Sequence, residues 1–221
     1  DPAEPESWSR SRELGGTPGK PNFPTGGESY EDRVLVDRGA DWRWAKGTGP
    51  FSAPESAWRD PSFDDRGWPS GPSGFGYGDD DDATILSDMA GAYTTVAVRR
   101  EVALSAEELA APGDFYLGMD FDDGFVAHVN GVEVARADAG SVGEELPWTA
   151  VATGSREAGV EDLHRIARER LVAGRNVIAI LGLNFSVGSS DFSLIPRLIH
   201  RTASTVAETA DTVVLNELFR G

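Results

Sequence analysis

Four consecutive aspartates, Asp79–Asp82, form the densest group of potential ligands in the sequence. Carboxylate oxygens are hard ligands, so a metal held by them alone is expected to be calcium. A run of this kind is also a common form of solvated acidic loop. The preceding GFGYG segment, 74–78, has glycines near the spacing of a phosphate loop, but four carboxylates would repel a phosphate. If the run binds an ion, that ion is therefore expected to be calcium. Binding of a nucleotide by this segment is excluded.

A second acidic segment, DFDDG at 120–124, looks like the start of a calcium-binding loop. The spacing fails because Gly124 stands in the wrong place and Gly131, at the twelfth position, offers no carboxylate. Asp-Gly between alternating apolar runs is typical of a tight hairpin turn, which needs positive φ angles. We therefore predict a turn at Asp123-Gly124 rather than a metal site.

The sequence contains no motif of a catalytic site. It has no HExxH, GxSxG or Walker motif, and without cysteine it has no thiolate nucleophile. The three histidines, His128, His164 and His200, are scattered along the chain, and His128 lies on a predicted strand where a packed residue is expected. Pairs of carboxylates arise by chance among 37 acidic residues. We therefore expect a protein that is not an enzyme.

The formal net charge of −17 makes nucleic acid and anionic membranes unfavourable partners, since phosphate binding requires clustered Lys and Arg. The charge fits either solubility or cation binding.

No run of about 18 apolar residues is present, so membrane insertion is not expected. The absence of cysteine fits a cytosolic or an exported protein. The opening residues DPAEPESW carry no Met and no signal pattern, which we interpret as a processed product or a fragment.

Alternating apolar residues predict strands in the middle of the chain. The clearest case is 115–121, which is followed by Asp123-Gly124 and then by a second turn at Asn130-Gly131. Val177–Leu183 is apolar on both faces, as in a central strand. Thr94–Val102 is predicted as a half-buried strand, and Asp191–His200 as a strand whose Pro196 places it at an edge or a bulge.

The segments between these strands are predicted to be short helix or loop. Ser105 and Glu108 form a capping box, and Pro112-Gly113 ends the helix within two turns. Residues 137–160 are predicted to form a surface loop, and 161–171 fit neither a helix nor a strand well.

Residues 50–75 are turn-rich and carry large aromatics. We expect these aromatics to pin the loop to the core, with a stacking platform for a sugar ring as the alternative; they are Trp58, Phe63 and Trp68.

This pattern predicts an all-β fold, an antiparallel jelly-roll β-sandwich over 33–201. Residues 1–32, rich in Pro, Gly and Ser, are expected to form a linker or an extended tail. Residues 202–221 are expected to be a linker and a terminal strand, TVVLNELF at 212–219. Such a strand completes its own sheet or pairs with another domain or subunit.

Three segments resemble the jelly rolls of the galactose-binding-like superfamily, and in particular the amino-terminal sugar-binding domain of family 2 β-galactosidases. They are WRDPSFDDRGW, DDGFVAHVNGVEVAR and LVAGRNVIAILGLN, whose matching parts are Phe63–Trp68, Val126–Val132 and Gly174–Ile180. The resemblance is also to modules of secreted bacterial proteins. His128 stands where relatives often have Tyr. The two ends, ESWSRSRELGGTPGKPN and TVVLNEL, resemble the closing and opening segments of a lamin-tail-type domain.

The resemblance implies a non-catalytic extracellular or cell-surface module that binds a glycan or a neighbouring protein domain, commonly with structural calcium. The alternative is a structural subunit of an extracellular fibre or surface assembly, which pairs with copies of itself through its tail and terminal strand. Aromatic faces stack on sugars, while amides and carboxylates bind hydroxyls. The candidate ligand-binding residues are therefore Tyr77, Tyr93, Trp148, Asn184 and Asp191, and the candidate metal ligands are Asp79, Asp80, Asp81 and Asp82.

Overall fold

The computed structural model describes residues 29–79 and 82–204. Contacts divide the chain into a large unit, Asp32–Thr202, and a small one made of the two ends of the chain. The tail residues 1–28, the aspartates Asp80 and Asp81, and the predicted terminal strand lie outside the described residues.

Strands make up most of the regular structure. The described residues form one short α-helix, α1 (Ala106–Ala110), and twelve strands: β1 (Ser29–Val36), β2 (Asp41–Lys46), β3 (Ser70–Pro72), β4 (Phe75–Tyr77), β5 (Thr84–Ile85), β6 (Thr95–Leu104), β7 (Asp114–Asp122), β8 (Gly124–Val129), β9 (Val132–Ala137), β10 (Asp162–Ile166), β11 (Gly174–Leu183) and β12 (Phe192–Ser204). Among these residues, no helix is long and apolar enough to cross a membrane.

The strands form two sheets. The first has the order β10-β7-β12-β4-β5, with β1 also paired to β12, and the second has the order β3-β2-β6-β11-β8-β9. Along these two paths the strand pairs are antiparallel except for the two-residue β4–β5 pair, which is parallel. The predicted all-β antiparallel sandwich is confirmed.

A main core lies between the two sheets, because alternate side chains of each strand point inward. On β8, Phe125, Ala127 and Val129 join this core, together with Val96 of β6 and Ile180 of β11. Period-two alternation of this kind is what directs one face of a strand to the interior. As predicted, β11 is a central strand, with β6 on one side and β8 on the other.

A second, smaller core covers the outer face of the second sheet. Phe51 and Trp58 from the loop pack there on outward-facing residues such as Ala97 and Leu181. Trp58 and Trp68 lie with ring centroids 6.3 Å apart, and both lie near Phe51. The expectation that aromatics pin the 50–75 loop to the core is confirmed. It also explains why β6, predicted to be half-buried, is buried on both faces over its first half.

The predicted hairpin at Asp123-Gly124 is wrong, because β7 lies in the first sheet and β8 in the second. The chain crosses between the layers here, through a cis peptide bond between Asp122 and Asp123. Phe121 and Phe125 on either side both face the interior, where their rings meet edge to face at 4.8 Å. Two inward aromatics fit a crossing of the sandwich as well as a hairpin, so the alternation alone could not separate the two.

The second predicted turn is confirmed. Asn130 and Gly131 have φ angles of 51° and 82°, and they join the paired strands β8 and β9. Positive φ at both central positions is the requirement of a type I′ turn. The capping box at α1 is also confirmed, since Ser105 accepts from the Glu108 amide and the Glu108 side chain accepts from the Ser105 amide.

Two further expectations are settled by the pairing. Pro196 was expected at an edge or a bulge, but β12 is an interior strand with β7 on one side. The proline is tolerated because it lies beyond Phe192–Leu194, the segment paired with β4. The ambiguous 161–171 region contains β10, at the edge of the first sheet, followed by a 3₁₀ turn at Arg168–Arg170.

Candidate metal centre

Three carboxylates meet at one end of the sandwich. Asp122, Glu157 and Asp191 each place an oxygen within 4.8 Å of the others, a spacing that could hold a metal ion. Asp122 is buried, with 3 % of its surface exposed, whereas Asp191 is partly buried and Glu157 is exposed. The cluster is therefore closed on the side of the sheet and open to solvent on the side of Glu157.

Sheet register places two of the three residues. Asp122 is the last residue of β7 and pairs with Ser193 of the neighbouring strand β12. Asp191 immediately precedes β12, so its backbone enters the sheet beside Asp122. Antiparallel pairing therefore brings together two carboxylates that are far apart in sequence.

The third residue, Glu157, is positioned by two other carboxylates. Asp123 accepts a hydrogen bond from the Arg156 amide at 3.0 Å, and Asp120 accepts one from the Gly159 amide at 2.7 Å. These bonds fix the loop on both sides of Glu157. The Arg156 guanidinium is used elsewhere, because it pairs with Asp162 at 2.5 Å and lies 4.2 Å from the Phe121 ring centroid. It does not neutralise the cluster by pairing with any of its three members.

Burial and like charge act on Asp122. Desolvation, and then the neighbouring carboxylates Asp123 and Asp191, raise the pKa of Asp122 to about 8. Its Oδ1 atom has no hydrogen-bond partner among the described residues. A buried carboxylate of this kind is stabilised by a proton or by a cation. The chemistry open to the site is therefore the exchange of a proton for a bound metal ion.

Three of the predicted ligand-binding residues meet beside this cluster. The Tyr77 hydroxyl donates to the Ser189 carbonyl at 2.8 Å and accepts from the Asn184 side chain at 3.3 Å. The Asn184 side chain also donates to the Asp191 carbonyl at 3.0 Å. Tyr77 and Asn184 are buried, so the geometry gives them the task of holding the loop that ends in Asp191.

The other two predicted ligand-binding residues lie elsewhere. Tyr93 is buried in the main core and donates to Asp88 at 3.1 Å; burial and this carboxylate raise the pKa of Tyr93. Trp148 is partly buried against the second core, and its amide donates to Glu55 at 3.0 Å. Ligand binding by the five residues stays a prediction.

The aspartate run is only partly described. The Ser193 hydroxyl lies 3.4 Å from a carboxylate oxygen of Asp79 and 3.4 Å from one of Asp82, and Asp80 and Asp81 lie outside the described residues. Calcium binding by Asp79–Asp82 stays a prediction.

Sequence reasoning missed the acidic triad itself. Asp122 belongs to DFDDG, which fails as a contiguous calcium loop. The triad instead combines carboxylates from three separate segments of the chain. The three aspartates of this segment, Asp120, Asp122 and Asp123, were the available signal. Glu157 gave no sequence signal of a metal site, because it lies in a polar loop where carboxylates are common.

Comparison with known proteins gives a structural likeness only. No protein-family model matches the chain, and no curated protein matches it by sequence. The β-glucuronidase of Bacteroides uniformis has a TM-score of 0.50 and 14 % identity, over 78 % of this chain and 18 % of that one. A β-glucuronidase of an uncultured Clostridium sp. has a TM-score of 0.49 and 14 % identity, over 82 % of this chain and 30 % of that one.

The chain spans less than a third of the length of these enzymes. The similarity to the Bacteroides uniformis protein shows a shared fold, which agrees at that level with the expected resemblance to a domain of family 2 glycosidases. The protein is therefore a β-sandwich similar to one segment of a β-glucuronidase.

Proposed function

We propose that this β-sandwich is a non-catalytic interaction module of a secreted or cell-surface protein, which binds calcium and, next to it, a glycan or a neighbouring protein domain. The observation that carries the proposal is the triad of Asp122, Glu157 and Asp191, closed by the sheet on one side and exposed on the other. The likeness to a segment of a longer β-glucuronidase supports the description as a module.

Calcium is the cation that fits this ligand set. It takes six to eight oxygen ligands in flexible geometry, whereas magnesium demands a compact octahedron and keeps several of its waters. Three carboxylates from three loops supply charge without a rigid octahedral cage. They also leave coordination positions for water or for an oxygen of a ligand on the exposed side, where Glu157 lies.

Bound calcium would also organise the binding surface. It would join the end of β7, the loop that carries Glu157 and the loop that ends in Asp191. Phe185 lies on the last of these loops with half of its surface exposed, and its amide donates to Asp123 at 2.6 Å. An exposed aromatic ring on a loop ordered by calcium is a suitable face for a sugar ring.

The test is calcium titration by calorimetry on protein treated with a chelator. Wild type and the control Asp114→Asn, a carboxylate of β7 paired with Arg165 and not part of the triad, are expected to bind one calcium ion. Asp122→Asn is expected to bind none. Absence of calcium binding by wild type, or equal binding by Asp122→Asn, would contradict the metal assignment.

The ligand is tested by affinity electrophoresis on a panel of polysaccharides, with calcium and with chelator. Retention that is lost on chelation and in Asp122→Asn supports a calcium-dependent glycan site. Lack of retention on every polysaccharide, together with no binding to adjoining domains of a longer chain, would overturn the interaction function.

A further inference from the structure

A cavity of about 150 Å³ lies on the outer face of the second sheet. Its sheet-side lining comes from Val126 and His128 of β8 and Leu181 of β11. Its walls come from the loop that contains Trp58 and Arg59 and from the segment 144–147. The cavity shares no residue with the acidic triad.

The two walls are held in place within the protein itself. The Trp58 amide donates to the Ser52 hydroxyl at 3.0 Å, and the Trp148 amide donates to Glu55 at 3.0 Å. The bond between Trp148 and Glu55 ties the Trp58 loop to the chain that follows the segment 144–147. Such a preformed cavity loses little conformational entropy when a ligand enters.

The charge of the lining favours cations. Three carboxylates line the cavity, those of Glu55, Glu144 and Glu145, and Arg59 is the one guanidinium among the lining residues. Arg59 pairs with Glu145 and also contacts His128 Nε2 at 2.9 Å. Burial, together with the Arg59 charge, lowers the pKa of His128 to about 4, so the imidazole is neutral at pH 7. The lining therefore has a net negative charge, which attracts a cation and repels an acidic ligand.

The remaining lining favours a small ring with some hydrogen-bonding groups. Trp58, Leu146 and Leu181 supply apolar surface. The volume is well below the roughly 300 to 1,000 Å³ of pockets for drug-sized ligands, so only one ring is accommodated. His128 is 4 % exposed, and its Nδ1 atom has no hydrogen-bond partner among the described residues. Nε2 accepts from Arg59 and Nδ1 is buried, so the hydrogen-bonding groups open to a ligand are the carboxylates that line the cavity.

We propose that this cavity binds a single protonated amino-sugar ring, with the ammonium group at the carboxylates of Glu55, Glu144 and Glu145 and the ring over Leu181 and Val126. The assignment extends the interaction function to a second site. It uses no residue of the calcium site, so failure of either proposal leaves the other standing.

The test is a ligand comparison by NMR chemical-shift titration of the full chain in the presence of calcium. Glucosamine is expected to bind most tightly, glucose more weakly and glucuronate most weakly, with shifts centred on the Val126 and His128 amides. Equal affinity for glucosamine and glucose, tighter binding of glucuronate, or no shifts at the cavity would overturn the proposal. Butylamine that binds as tightly as glucosamine would overturn the assignment to a sugar ring.

A matched pair of variants tests the role of the rim. Glu55→Gln removes a charge but keeps an oxygen for the Trp148 amide, and it is expected to weaken glucosamine binding about two- to fivefold while leaving glucose unchanged. Glu169→Gln removes an exposed charge outside the cavity and is expected to change neither ligand. Leu146→Trp, which fills the cavity from its wall, is expected to abolish binding of both. Unchanged glucosamine affinity in both Glu55→Gln and Leu146→Trp would contradict the site.

Discussion

The hydroxyl of Tyr77 and the side-chain amide of Asn184 lie 3.3 Å apart in the interior, one on β4 and the other just after β11. These strands belong to opposite sheets, so the contact joins the two layers at the end of the sandwich. From there the Asn184 amide reaches the Asp191 carbonyl. Tyr77 and Asn184 have side chains of the types found in sugar-binding sites. Here they form a brace that holds the candidate metal ligand Asp191 in place.

Tyr77→Phe is expected to weaken calcium binding without unfolding the protein. The change keeps the ring in the core and removes the hydroxyl that contacts Asn184 and Ser189. Loss of such an outer support typically costs about 10- to 100-fold in metal affinity. Tyr93→Phe is the control, because its hydroxyl contacts Asp88 instead. Calcium titration calorimetry measures both variants, and an equal loss of affinity in the two would contradict the brace.

Without calcium, the contribution of Asp122 to stability is expected to fall as the pH rises from about 4 to about 8. The pKa of Asp122 is raised to about 8 in the folded protein, so over this window the folded state holds a proton that the unfolded state has released. Thermal unfolding midpoints with chelator, for wild type and Asp122→Asn, measure the effect as a difference between the two curves. A difference that does not vary with pH would contradict it.

Calcium is expected to reverse this pH dependence, because it replaces the proton on Asp122. At a calcium concentration 100-fold above Kd, the free energy of unfolding is expected to rise by about 2.7 kcal/mol. The gain is larger at pH 8 than at pH 5, where protons compete for the carboxylates. Urea unfolding at the two pH values, with and without calcium, checks this, and Asp122→Asn is expected to show no gain.

Much of the fold followed from local sequence patterns, because alternation and turn chemistry act over a few residues. The turn at Asn130-Gly131 and the capping box at Ser105 are of this kind. The partner of each strand was harder to predict, since it depends on residues far along the chain. The Asp123-Gly124 crossing shows the limit: the same dipeptide serves a hairpin or a change of sheet, and only the placement of β7 and β8 in different sheets distinguishes them.

The candidate site was less predictable for the same reason. Asp122, Glu157 and Asp191 are separated by more than thirty residues each, and strand register and loop bonds bring them together. A search for ligands at short spacing finds Asp79–Asp82 and the DFDDG segment, which contains one of the three carboxylates. Side-chain chemistry predicts Tyr77 and Asn184 as ligand contacts, whereas their burial and their bonds to the Asp191 loop depend on the fold and cannot be predicted from the sequence.

Asp65→Ala is expected to destabilise the protein by about 3 kcal/mol, because it removes the carboxylate that pairs with a fully buried guanidinium. Arg99 lies on the outer face of β6, is 0 % exposed and contacts Asp65 at 2.9 Å. Its remaining bonds to the Trp58 and Asp60 carbonyls fix the loop but do not neutralise the charge. Urea unfolding provides the measurement.

The neighbouring residue supplies a matched control for that change. Asp64 also pairs with an arginine, Arg66, but both side chains are mostly exposed. Exposed ion pairs contribute little to stability, so Asp64→Ala is expected to leave the urea midpoint almost unchanged. Equal effects of the two substitutions would show that the Arg99 pair does not anchor the loop.

Two glycines near the end of β2 are expected to respond differently to the same substitution. A Cβ atom at Gly47 would lie 2.8 Å from both the Thr95 and the Trp148 carbonyl oxygens, so Gly47→Ala forces backbone apart and is expected to cost about 2 to 3 kcal/mol. A Cβ atom at Gly49 meets nothing within 4 Å, and Gly49→Ala is expected to stay within about 0.5 kcal/mol. Thermal unfolding of both variants checks the fit of the Trp148 segment against β6; similar midpoints would contradict it.

His128 is expected to make the protein sensitive to acid. Burial and the Arg59 charge lower the pKa of His128 to about 4, whereas the unfolded chain titrates near 6.5. Between these values the unfolded state binds the extra proton, so the contribution of His128 to stability is lost as the pH falls from about 6.5 to about 4. Glu133 and Glu145 oppose the shift but do not cancel it. His128→Gln, compared with wild type by unfolding at pH 4.5 and 7, is expected to lose less stability in acid. An NMR titration of the wild-type imidazole with a midpoint at or above 6.5 would contradict the argument.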